Sequence, residues 1–160
     1  MGKTLGYMVT FTTYGSWLQG DKRGFVKDGR ISEANEELEQ ANKKRQSSKK
    51  VTLKKEQREI VRTAILRRAE SIGEKVLAIS VQSNHVHAVI EGGGKPIDIV
   101  VNRLKTAAYY ALRERGFEGK VWTRRYDKRF CFDEKALKNR IKYVNFQKRQ
   151  RITPTMQGGG

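Results

Sequence analysis

Short runs of β-branched and aromatic residues alternate along this chain with longer stretches whose apolar residues recur every third or fourth position. That alternation limits the available folds more than any other feature. Tyr7–Tyr14, Lys75–Gln82, Val86–Glu91 and Arg129–Phe132 read as strands. Thr52–Ser71 repeats Ile60, Val61, Ala64, Ile65 and Leu66 at helical spacing, with Thr52 and Glu56 as its opening cap and Gly73 as its stop. After Pro96, a second helix is expected to about Arg115, burying Ile97, Val100, Val101, Leu104, Ala108 and Leu112 before Gly116 ends it. Asp133 reads as the N-cap of a last helix, Glu134 to about Gln150, with Leu137, Ile141 and Val144 facing inward.

The resulting order is strand, helix, strand, strand, helix, strand, helix. It predicts an α+β fold: a ferredoxin-like (RRM-like) antiparallel sheet with helices on one face, plus a C-terminal helix. The 160 residues suffice for one core, so 1–152 is expected to be a single domain, with a tail over 153–160. Ile31 to Lys50 is very polar and reads as a solvated insertion, with a short helix leading into basic residues. Cys131 cannot form an internal disulfide and reads as a core residue, which fits a reducing compartment. No apolar run is long enough for a membrane span, and the N-terminus does not read as a signal peptide.

Charge narrows the partners. Lys plus Arg number 34 against 17 Asp plus Glu, a formal net charge of +17. Such a chain repels itself unless a polyanion neutralises it, so nucleic acid is the first partner to consider.

Both histidines of the chain lie in Asn84-His85-Val86-His87. Two randomly placed histidines would stand two apart about once in eighty such chains. On a strand, positions i and i+2 share a face, so the imidazoles of His85 and His87 stand side by side and can take part in holding a divalent ion. Hydrogen-bonded strand histidines are the simpler use of the same pattern. On the last helix, Tyr143 and Gln147 are four apart and fall together at the edge of the apolar stripe. Such an edge allows a phenol to lie over a sheet with its hydroxyl reachable, although packing alone also accounts for a tyrosine there.

These residues carry a resemblance. His-Val-His on a strand, the basic turn Val121-Trp122-Thr123-Arg124-Arg125-Tyr126, and the helix Ile141-Lys142-Tyr143-Val144-Asn145-Phe146-Gln147 together resemble the single-tyrosine HUH transposases. The similarity is greatest to the REP-associated tyrosine transposases, and it extends from Tyr7 to about Gln150. An Asn-Pro pair that continues the tyrosine helix in many of those relatives is absent. The resemblance implies a bacterial, cytoplasmic, DNA-associated enzyme. In it His85, His87 and Gln147 ligate a metal ion and Tyr143 is the nucleophile. Two imidazoles favour Mn²⁺ and availability favours Mg²⁺. Tyr109 and Tyr110 are the rival nucleophiles, although their alanine-rich surroundings suit packing.

The expected reaction is transesterification of single-stranded DNA, giving a 5′-phosphotyrosine and a free 3′-OH, followed by strand transfer. A hairpin substrate follows from the resemblance alone, which leaves both a monomer and a homodimer open. Arg103, Lys105, Arg124, Arg125, Lys128 and Arg129 are the expected phosphate contacts, and Trp122 and Tyr126 the expected stacking platforms. The alternative reading is a non-catalytic basic nucleic-acid-binding module, domesticated or decayed.

Overall fold

A computed structural model describes residues 3–16 and 50–158, the stretch from 148 onward as backbone only. The polar segment 31–50 therefore lies, except for Lys50, outside the described residues.

Seven elements follow in the expected order: β1 (Gly6–Thr12), α1 (Lys55–Ser71), β2 (Val76–Val81), β3 (His85–Glu91), α2 (Ile97–Glu114), β4 (Asp127–Cys131) and α3 (Glu134–Gly158). The strands form one sheet in the order β2-β3-β1-β4, with every neighbouring pair antiparallel. This is the strand arrangement of the ferredoxin-like plan. Among the described residues, no helix is long and apolar enough to cross a membrane.

Two boundaries differ from the sequence reading. The first helix starts at Lys55, and Thr52 does not cap it. Val51 and Leu53 are buried in an extended approach, their amides donating to the carbonyls of Tyr14 at 2.9 Å and Ser83 at 2.7 Å. Burial of alternate side chains holds these residues out of the helix, and Gln57 Oε1 instead accepts the Lys54 amide at 2.8 Å. At the other end, α3 runs to Gly158, across Pro154, where the sequence reading places a tail. Pro154 forfeits one ladder hydrogen bond, yet helical backbone continues on both sides of it.

The sheet buries both faces, by different means. Val9, Phe11, Ile79, Val86, Ala88 and Ile90 point to one side and make the main core with Val61, Ile65 and Ala69 of α1 and Val100, Val101, Leu104, Ala108 and Leu112 of α2. On the opposite face Met8, Ala78 and Val89 pack against Val144, with Leu137 and Ile141 beside them, so α3 crosses that face. Asp133 starts α3 as expected, its carboxylate accepting the Ala136 amide at 2.7 Å. Gly116, at φ 93°, supplies the left-handed residue that ends α2. Gly6 lies directly beneath α3: a Cβ there would stand 2.7 Å from Leu137 Cδ1 and 3.0 Å from the Ile90 carbonyl oxygen. The Leu137 side chain therefore occupies the space that a side chain at position 6 would need. Cys131, opposite Gly6 in the register, is fully buried as expected of a core residue.

Candidate active site

The position of the imidazoles follows from alternation. Val86, Ala88 and Ile90 are committed to the α1/α2 core, so His85, His87 and Val89 must point to the α3 side. A tight Ser83-Asn84 turn, closed by the Gln82 amide on the His85 carbonyl at 2.8 Å, sets the register of this hairpin. The two rings meet edge to face with centroids 4.6 Å apart.

Each ring is held by its Nδ1. His87 Nδ1 lies 2.8 Å from the hydroxyl of Thr10, its Cα partner on β1, and His85 Nδ1 lies 2.8 Å from Asn84 Oδ1. Such Nδ1 bonds orient an imidazole for ligation through Nε2. Burial, reinforced by the neighbouring His85, lowers the pKa of His87 to about 4, with Asp127 acting in the other direction. His87 is therefore neutral at pH 7, the state in which an imidazole binds metal. Asp127 stands opposite Thr10 on β4, so Ser80, His87, Thr10 and Asp127 form one row across the sheet.

The helix supplies the other two residues. Val144 is fully buried and fixes the rotation of α3, which leaves Tyr143 42% exposed at the helix flank. Its ring centroid is 5.7 Å from that of His87. One turn on, the carbonyl of Gln147 accepts from Gln82 Nε2 at 3.5 Å, and Gln82 lies across the hairpin from His85. All four residues singled out by the sequence thus gather on one side of the sheet beside α3. The described residues hold no group of three or more His, Cys, Asp or Glu suited to a metal. The two oriented imidazoles fit a divalent ion with coordination positions left for a further protein ligand, water or substrate.

The rival tyrosines lie elsewhere. Tyr109 and Tyr110 pack edge to face at 5.2 Å on α2, behind the sheet from the imidazoles, with the Arg113 guanidinium 5.5 Å from the Tyr109 ring.

The basic and aromatic residues divide. Arg103, Arg124, Arg125, Lys128 and Arg129 are exposed. Lys128 bonds Asp98 Oδ1 at 3.2 Å and Arg129 bonds Asp127 Oδ2 at 3.1 Å. Lys105, Trp122 and Tyr126 are held by their neighbours. Trp122 packs edge to face on Phe11 at 4.9 Å and donates from Nε1 to the Lys105 carbonyl at 3.0 Å. The Lys105 ammonium donates to the Thr123 carbonyl at 2.8 Å, and burial lowers its pKa. The Tyr126 hydroxyl donates to Asp98, and burial together with that bond pushes its pKa up. These contacts brace the turn between α2 and β4.

Thr10, Asn84 and Asp127 did not stand out in the sequence. The only signal for Thr10 is its alternation with buried Val9 and Phe11, which puts a hydroxyl where an apolar residue would otherwise face α3.

The model of the family described as "Transposase IS200 like" matches residues 42–147, about two thirds of the chain. The chain belongs to the IS200-like transposases. A solved structure of a REP-associated tyrosine transposase bound to a REP hairpin is similar in fold, with a TM-score of 0.54 at 12% identity, covering 99% of this chain and 72% of that one. A crystal structure of a candidate transposase from Deinococcus radiodurans R1 aligns at 13% identity over 92% of this chain and 93% of that one. Its TM-score of 0.48 gives it no weight in the fold assignment. No curated protein matches the chain.

Proposed function

We propose that this IS200-like transposase cuts and rejoins single-stranded DNA by transesterification through Tyr143. The observation that carries the reading is the seating of the Tyr143 ring 5.7 Å from that of His87, over the face where the two imidazoles meet. The phenol oxygen attacks a backbone phosphorus and loses its proton. The bond from phosphorus to the 3′ oxygen breaks, that oxygen leaves as a 3′-OH, and the 5′ phosphate stays on Tyr143. One phosphodiester replaces another, so the step is reversible and needs no nucleotide cofactor. Attack by the 3′-OH of a second strand then completes strand transfer.

His85, His87 and the Gln147 amide would hold Mg²⁺ or Mn²⁺, which when bound would polarise a non-bridging phosphate oxygen and ease loss of the phenol proton. The chain's own contribution is orientation. Thr10 and Asn84 hold the two rings, and burial keeps His87 uncharged. The imidazole pair and the phenol meet within one chain. The phosphate must be unpaired to meet sheet and helix together, which favours single strands or the strand beside a hairpin. The hairpin held by the REP-associated relative supports that choice. Exposed Arg103, Arg124, Arg125 and Arg129 supply sequence-independent phosphate contacts.

Incubating labelled hairpin DNA with the protein and Mn²⁺ tests this on a denaturing gel. The wild type gives a nicked strand and a slower, protein-linked band, and Tyr143→Phe gives neither. Free-ended products with no linked band would show hydrolysis, and identical behaviour of the two proteins would leave only a binding module.

A further inference from the structure

With Trp122 and Tyr126 committed to neighbours, a different pair of aromatics is left in solvent on the same side of the molecule. Phe130 and Phe132 are 47% and 54% exposed. They stand two residues apart, Phe130 in edge strand β4 and Phe132 just beyond its end. Their rings lie 5.9 Å apart, and Tyr7 supports Phe130 edge-on from β1 at 5.3 Å. The Lys128 ammonium stands 5.8 Å from the Phe130 ring centre. Packing on Tyr7 accounts for part of Phe130 and for none of Phe132.

We propose that Phe130 and Phe132 form a stacking platform for unpaired bases of single-stranded DNA several nucleotides from the cleaved phosphate. Aromatic faces accept any base, and the exposed Lys128 ammonium beside them can exchange its surface pairing with Asp98 for the phosphates between bases. The chain's net charge of +17 favours a polyanion here over a second copy of itself, which would bring equal charge. Asp127 and Arg129 point to the imidazole side of β4, whereas Lys128 and Phe130 point to the other, so the platform lies around the rim of the sheet from Tyr143. β3 and β4 are separated by one strand, about 10 Å, and Phe130 lies three residues, about 10 Å, further along β1 than His87, so a DNA strand leaving the imidazole pair reaches this rim within several nucleotides. The placement rests on the DNA-cutting reading above, but base stacking itself needs no cleavage.

The test uses full-length protein carrying Tyr143→Phe, so that binding is read without chemistry, and anisotropy of a labelled single-stranded oligonucleotide at about 0.1 M salt. Phe132→Ala should weaken binding roughly 5- to 100-fold with an unchanged salt slope, because no cation is lost. Lys128→Ala should instead lower that slope by about one. An oligonucleotide with abasic positions should lose affinity for the parent protein and lose little more for Phe132→Ala. Matching melting curves establish that the variants are folded. The proposal is overturned if Phe132→Ala binds within about twofold of the parent. It is equally overturned if the change disperses a dimer in sedimentation without altering DNA affinity, which would make a second copy the occupant. Absence of cleavage by the wild type, with the stacking effect intact, would count against the DNA-cutting reading alone.

Discussion

Replacing Thr10 with valine removes one hydroxyl and little else from the centre of the sheet. Thr10 is 4% exposed, and its Oγ1 lies 2.8 Å from His87 Nδ1. The change has two separable consequences. The first is stability: a largely buried imidazole nitrogen loses its partner, which costs about 1–3 kcal/mol and lowers Tm by roughly 2–10 °C in a chain of this length. The second is orientation: the His87 ring no longer has a bond fixing which nitrogen faces the ion. Loss of such a supporting bond lowers metal affinity by about 10- to 100-fold. Calorimetric titration of the folded protein with Mn²⁺, below the new Tm, separates the two effects. Thr10→Ser, which keeps the hydroxyl, should restore most of the affinity. If Thr10→Val binds Mn²⁺ as tightly as the wild type while His87→Ala does not bind it, the orienting role given to Thr10 is wrong.

Three further outcomes follow from the same geometry. Gly6→Ala would drive a methyl group to 2.7 Å from Leu137 Cδ1 and 3.0 Å from a backbone oxygen, so the Leu137 side chain that seats α3 on the sheet must be displaced. The expected cost is about 1–3 kcal/mol by chemical denaturation, with DNA cleavage falling more than Mn²⁺ affinity, because α3 carries Tyr143 and the sheet carries the imidazoles. In EDTA-treated protein, stability should be complete above pH 6.5 and fall as the pH drops toward about 4, since in that window the unfolded chain takes up a proton that folded His87 refuses. The gap sets an upper limit of roughly 3 kcal/mol, and His87→Asn should flatten that part of a urea-denaturation series against pH. Tyr110→Phe should leave the amount of protein-linked DNA unchanged, because Tyr110 is on the other side of the sheet; loss of the linked band in this variant would move the nucleophile to α2.

Much of the fold was legible because two periods dominate the chain. The alternation Val86, Ala88, Ile90 determines which face carries His85 and His87, and the spacing of Leu137, Ile141 and Val144 sets the rotation of α3. Both are local patterns, so position in the sequence implies position in space. Thr10 was not legible in this way, because its role depends on the β1–β3 register, a pairing of residues 77 apart. The aromatics near β4 were ambiguous for a different reason. Trp122, Tyr126, Phe130 and Phe132 all stand among or beside basic residues, and composition cannot say which finds a partner. The structure pairs Trp122 with Phe11 and Tyr126 with Asp98 and leaves Phe132 in solvent. The start of α1 was misplaced because Thr52 looks like a cap until Val51 and Leu53 are seen to be buried on either side of it.

The most direct test of the account is to identify the amino acid that becomes joined to DNA. After reaction with Mn²⁺ and hairpin DNA, nuclease and trypsin digestion should release the peptide Tyr143–Lys148, bounded by Lys142 and Lys148, with a nucleotide 5′-phosphate on its tyrosine. Mass spectrometry that finds the mass increment on Tyr143 meets the prediction. The same increment on Tyr109, Tyr110 or any other residue, or cleaved DNA with no modified peptide, would contradict it.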